Sequence, residues 1–97
     1  MATANVLAAP GLYKYANLSA AGSTLLKTGI GSLGGVVVGT GAAGATITLY
    51  DGTNTSGTLI AVLSAAAPVP LTFGVSFFTG LYVVVAGGSP NVTVSYT

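Results

Sequence analysis

The residue types of this chain favour strands over helices along most of its length. Threonine and valine are abundant, and their side chains, like those of isoleucine, tyrosine and phenylalanine, fit the pleated surface of a sheet. Residues that usually fill exposed helix positions are scarce, because the chain has no glutamate, glutamine or arginine and only two lysines. Glycine occurs fifteen times and is spread through the sequence, and each one disfavours a helix. The composition therefore predicts an all-β protein.

Two stretches predict β-hairpins. In residues 46–50, Ile47 and Leu49 face one way and the polar neighbours face the other, which is typical of a half-buried strand. Residues 51–57 form a turn cluster in which Asp51 and Asn54 are expected to cap local amides, and residues 58–64 return as the second strand. Near the C-terminus, the apolar run 81–86, the turn 87–91 and the alternating stretch 92–96 predict a second hairpin.

Turn signals recur at roughly 8–12-residue intervals, which is typical of a sandwich or a small barrel. Further strands are expected in residues 12–18, 23–28 and 33–40, and in residues 69–78 with a break near Gly74. The pattern predicts an antiparallel two-sheet sandwich of about seven to eight short strands. Immunoglobulin-like and jelly-roll topologies bury alternating residues in the same way, so both remain open. Residues 11–97 are predicted to form this single domain, preceded by an extended arm at residues 1–10.

Charge is nearly absent from the 97 residues. Lys14, Lys27 and Asp51 are the only charged side chains, or 3% of the chain, whereas about a quarter is usual. Proteins near electrical neutrality tend to associate, and the formal net charge here is +1. We therefore expect much of the surface to lie against other chains. The edge strands are expected to lack protective lysines and so to be ready to pair with a neighbour.

The same scarcity argues against catalysis and bound cofactors. The chain has no histidine or cysteine, and Asp51 is its only side-chain carboxylate. Paired carboxylates are therefore impossible within one chain, as is zinc ligation by histidine or cysteine. The stretch 29–34 matches the spacing G-x-G-x-x-G, but no helix is predicted after it, as a dinucleotide site requires. We predict a non-enzymatic protein with no catalytic, metal-binding or cofactor-binding residues.

Physical arguments also count against nucleic acid and membranes as partners. Two lysines thirteen residues apart do not make the basic stripe that phosphate binding needs. The window 30–50 is uncharged and contains two GxxxG matches, but its six glycines and four serine or threonine residues do not form a predominantly apolar span. The sequence therefore predicts binding to protein. The residues expected at that interface are Leu12, Tyr13, Tyr15, Val36, Val37, Val38, Phe77 and Phe78.

Three segments of the C-terminal half carry a resemblance to a known class of proteins. Residues 47–60 read ITLYDGTNTSGTLI, residues 80–85 read GLYVVV, and residues 92–96 read VTVSY. These segments resemble small uncharged virion proteins of tailed bacteriophages, which include head decoration (cement) proteins and short fibre or tail components. The resemblance implies a β-sandwich that binds an assembled shell, often as a homo-oligomer.

On that resemblance, the expected partner is the major capsid protein or another virion subunit, and the expected location is the capsid surface. The alternative is a fibre or tail module in which the five tyrosines and the loops recognise a receptor or glycan.

Overall fold

The computed structural model describes residues 13–97, and these residues form eight antiparallel strands and no helix. The predicted arm at residues 1–10 lies outside the described residues. The all-β prediction is confirmed. In chain order the strands are β1 (Lys14–Leu18), β2 (Gly22–Thr28), β3 (Gly31–Thr40), β4 (Thr46–Asp51), β5 (Thr58–Ser64), β6 (Val69–Phe77), β7 (Gly80–Ala86) and β8 (Asn91–Tyr96).

The strands divide into two sheets of four. The first sheet has the order β1-β8-β3-β6, and the second has the order β2-β7-β4-β5. Strands therefore pair from the two ends of the chain inwards, β1 with β8, β2 with β7, β3 with β6 and β4 with β5. A chain whose strands pair in this nested order, with successive pairs placed alternately in two packed sheets, has the jelly-roll topology. The sandwich prediction is confirmed, and the strand order decides between the two topologies left open.

The core lies between the sheets and is entirely apolar. Alternate residues of β4 and β7 face it from the second sheet, as period-two side-chain geometry requires. In β3, a register shift at Gly34 places two residues between Leu33 and Val36, so both side chains still face inward. The buried apolar side chains are Leu33, Val36, Val38, Ala45, Ile47, Leu49, Ala65, Phe77, Leu81, Val83, Val85, Val92 and Val94.

One predicted hairpin is confirmed and the other is wrong. Strands β4 and β5 pair directly on either side of the 52–57 turn. Strands β7 and β8 do not pair with each other, because β7 lies in the second sheet and β8 in the first. Their connection is a corner in which Gly87 has φ +80° and Pro90 is buried. The corner lets the apolar faces of β7 and β8 meet across the core.

Two other segments differ in detail from their predictions. A break in the strand was expected near Gly74, but residues 69–77 form one continuous strand. Gly74 has φ +69° and lies at a register shift in the pairing of β6 with β3. Residues 30–50 contain β3 and most of β4. Across residues 13–97 there is no helix of the length and hydropathy needed to cross a membrane.

Candidate interaction surfaces

Asp51 is the only acidic side chain of the protein, and it holds the turn between β6 and β7. Its carboxylate accepts hydrogen bonds from the backbone N–H groups of Phe78, Thr79 and Gly80. The shortest joins Thr79 N to Asp51 Oδ1 at 2.8 Å. The hydrogen bonds to the carboxylate, foremost that from Thr79, lower its pKa and outweigh an opposing desolvation effect. Asp51 is therefore a capping group that fixes a distant turn.

This arrangement differs from the local capping expected for Asp51. Local capping in the 52–57 turn falls to Asn54, whose Oδ1 accepts a hydrogen bond of 2.8 Å from the N–H of Ser56. Asp51 instead reaches residues more than twenty-five positions away, because β4 and β7 are neighbours in the second sheet. A turn signal in the sequence predicted that both residues would cap amides but did not reveal which amides Asp51 would meet.

Acid is expected to destabilise the fold through this one carboxylate. Because the folded-state pKa of Asp51 lies below its ordinary value of 3.8, the stabilisation is fully present above pH 3.8. It is lost as the pH falls through the lower, folded-state pKa. We expect the denaturation midpoint to be flat between pH 5 and 7, since the chain has no histidine, and to fall below pH 4.

The variant Asp51→Asn isolates the effect, because the C-terminal carboxylate remains as a shared background. At pH 7 it is expected to be less stable than the native protein by about 1 kcal/mol, because a neutral amide oxygen accepts weaker hydrogen bonds than a carboxylate does. As the pH falls towards 2, the difference in denaturation midpoint between the two proteins should shrink, because protonation of Asp51 removes the charge that Asn lacks at every pH. An equal loss of stability in both proteins between pH 5 and pH 2 would assign the acid sensitivity to another group.

The interface prediction is wrong for three of its eight residues. The side chains of Val36, Val38 and Phe77 are at most 1% exposed and belong to the core between the sheets. Their dense apolar sequence therefore reflects packing within the domain. A partner cannot reach these side chains while the domain is folded.

The remaining predicted residues fall on two separate surfaces. Tyr13, Tyr15 and Val37 are exposed on the outer side of the first sheet, at 44%, 75% and 46%. Phe78 is 68% exposed at the turn that Asp51 caps. Leu12 lies outside the described residues. The interface role of the four exposed residues stays a prediction.

The outer side of the first sheet carries a groove of about 430 Å³. Small residues form its floor, because Ser95 pairs with Gly35 across β8 and β3 and leaves little side-chain volume there. The ring of Tyr13 stands over the neighbouring Gly34, where an added Cβ atom would lie only 3.0 Å from the Cε1 atom of the ring. The other lining residues are Val37, Pro70, Leu71, Thr72 and Gly74.

The outer side of the second sheet is a candidate surface that the sequence-based prediction missed. Two cross-strand rows span all four of its strands: Leu25-Tyr82-Tyr50-Leu59 and Ser23-Val84-Thr48-Val62. We call these eight residues the second-sheet face. The rings of Tyr50 and Tyr82 pack at a centroid separation of 6.4 Å. The alternation in residues 46–50 already indicated outward positions, but it gave no reason to align them with residues of three other strands.

None of the eight residues of the second-sheet face is charged. Lys14 lies on β1 and Lys27 on β2, while Asp51 ends β4 and is engaged with the β6–β7 turn. Three large apolar side chains of this face are substantially exposed, namely Leu25, Leu59 and Val62 at 43%, 55% and 60%. An uncharged face that exposes several large apolar side chains is a candidate interaction site.

These features define a jelly-roll domain with an uncharged face on one sheet and a shallow groove on the other. Within residues 13–97, no cluster of three or more metal-ligating side chains of the histidine, cysteine, aspartate or glutamate type is present. The chain matches no protein-family model, and no curated protein is similar to it in sequence.

Proposed function

We propose that this protein is a non-enzymatic structural component of a bacteriophage virion that binds the assembled capsid and stabilises it. The observation that carries the proposal is the second-sheet face, where eight outward residues form two uncharged rows across four strands. The proposed partner is the major capsid protein or another virion subunit. The proposed location is the outer surface of the capsid.

The physical argument rests on desolvation. Hydroxyl and apolar groups leave water at a much smaller cost than ionised groups, so an uncharged face can be covered without needing charged partners. Tyr50, Tyr82 and Thr48 supply hydroxyls on that face. A protein that binds only the assembled shell stabilises that shell by mass action. Such a mechanism needs a rigid, complementary surface and no reactive group.

The fold supports this proposal only by analogy. Jelly rolls occur in viral capsid proteins and also in lectins and cupins, so the topology is compatible with several functions. The resemblance of residues 47–60, 80–85 and 92–96 to phage virion proteins favours the first of these. Scarcity of charge favours it too, since a virion protein is covered by its neighbours in the assembled particle.

The test compares phage particles with and without this protein. Particles that lack it are expected to release DNA at a lower temperature and after a milder osmotic shock, and adding back the purified protein should restore resistance. Add-back of Leu25→Lys should fail, because it places a charge in the second-sheet face. Add-back of Ile30→Lys, which places the same charge at an exposed aliphatic residue of the β2–β3 turn, should succeed. Equal resistance of the two kinds of particle would refute the stabilising role.

A receptor- or glycan-recognition role is the second candidate, and the groove of the first sheet favours it. Its lining combines the ring of Tyr13 with the hydroxyls of Thr72 and Ser95. An aromatic ring beside hydroxyl groups is a suitable surface for a sugar, because it offers an apolar platform and hydrogen-bonding groups together. Glycan-array binding that is lost in Tyr13→Ala and kept in Leu25→Lys would favour this candidate over capsid binding.

A further inference from the structure

Three of the four edge strands in the described domain carry a lysine or a proline, and both residue types hinder pairing with another chain. The edges are β1 and β6 in the first sheet and β2 and β5 in the second. Both lysines of the protein lie on edges, Lys14 on β1 and Lys27 on β2. Strand β6 has Pro70, which lacks an N–H group, and a register shift near Gly74. Lysine and proline are among the usual protections of exposed edges, as are bulges, one of which β5 also has at Ile60. The expectation that the edges lack lysine is therefore wrong for β1 and β2.

Strand β5 differs from the other three edges. Its sequence, TLIAVLS, contains no charge, no proline and no glycine. A register shift at Ile60 is its one irregularity, and Ala61, Val62, Leu63 and Ser64 pair regularly with β4 beyond it. The outward side chains Leu59 and Val62 are 55% and 60% exposed. Within the described domain, β5 thus leaves a row of backbone hydrogen-bonding groups at an edge that nothing repels.

We propose that β5 pairs antiparallel with β5 of a second copy of this chain, so that two second sheets join into one sheet of eight strands. A two-fold axis brings the same residues of both copies together, and identical uncharged strands meet without repulsion. The cross-strand rows of the second-sheet face then continue from one copy to the other. The pairing concerns the protein alone and holds whether or not the protein binds a capsid.

A second copy of this chain is the partner for β5 that the residues of the four edge strands favour. Every other edge of the described domain presents a lysine or a proline, so mixed pairing of β5 with another edge brings a blocking residue into the ladder. Two strands of seven residues bury less than the roughly 1,200–2,000 Å² of a standard interface. The expected association is accordingly weak, in the micromolar to millimolar range, and becomes important at the high local concentration of an assembled particle.

The test is sedimentation equilibrium of the purified full chain from about 10 µM to 1 mM, a range chosen to span weak association. The native protein is expected to shift from monomer towards dimer. Val62→Lys should weaken the dimer at least about tenfold, because like charges on neighbouring strands repel. Val37→Lys is the matched control, since it introduces the same charge at an exposed valine of the other sheet, and it should leave the dimer constant unchanged.

Amide hydrogen exchange of the native protein provides a readout that needs no variant. Exchange in residues 61–64 should slow as the concentration rises through the dimerisation range, while exchange in the edge strand β1 should not change. A monomer at every concentration would overturn the proposal. So would a dimer that survives Val62→Lys, or one that Val37→Lys weakens equally. Because no particle is present, these results are independent of the capsid experiments.

Discussion

Replacing Phe77 with alanine is expected to lower the free energy of unfolding by about 3–5 kcal/mol, the usual cost of removing a buried aromatic side chain. Phe77 is fully buried and is the largest side chain of the core between the two sheets. A domain of this size is typically stable by about 5–15 kcal/mol, so the change removes a large part of the total. Urea denaturation followed by circular dichroism measures the effect directly.

The neighbouring residue supplies a matched control. Phe78→Ala removes the same atoms one position along the chain, but Phe78 is 68% exposed and already in contact with water. We expect its effect on the free energy of unfolding to lie within about 0.5 kcal/mol, as for other surface substitutions. Comparable losses in Phe77→Ala and Phe78→Ala would contradict the inward and outward assignment of these residues, and with it the end of β6.

The second large effect is expected at the corner between β7 and β8. Gly87 has φ +80°, and a Cβ added there would collide with the carbonyl oxygen of Gly44 in the opposite loop. Gly87→Ala combines left-handed backbone strain of about 1–2 kcal/mol with overpacking of about 1–3 kcal/mol. We therefore expect thermal and urea denaturation to show a loss of about 2–5 kcal/mol, near the sum of the two.

Gly74→Ala separates the two contributions. Gly74 also has a positive φ, +69°, but a Cβ added there meets no atom within 4 Å. Only the backbone strain applies, so the expected loss is about 1–2 kcal/mol. If Gly87→Ala costs no more than Gly74→Ala, the close approach of the 87–88 corner to residues 44–45 does not exist in solution. The placement of β7 and β8 in different sheets would then be in doubt.

The strands themselves were predictable because side-chain alternation is a local signal. Ile47 and Leu49 face the core, as their spacing indicated, and the β4–β5 hairpin follows from the turn between them. Sheet membership is not local. A glycine-rich turn followed by proline suits a hairpin and an inter-sheet corner equally well, and only the long-range pairing of β7 with β4 and of β8 with β3 distinguishes them.

The candidate surfaces were harder to predict for the same reason. Three consecutive valines, 36–38, indicate a strand but do not reveal which of them face outward. The register shift at Gly34 changes the alternation of inward and outward residues along β3. The second-sheet face joins residues from four strands that are far apart in sequence, such as Leu25 and Leu59. The role of Asp51 depends on the same pairing, since the amides that it meets belong to the turn between β6 and β7.

The most direct test of the account is to count copies of this protein in purified phage particles by quantitative mass spectrometry. The account predicts a fixed ratio to the major capsid protein that persists through density-gradient purification, because the uncharged second-sheet face is covered in the assembled particle. Absence from such particles, or a ratio that falls with each purification step, would contradict the claim that this chain is a component of an assembled virion.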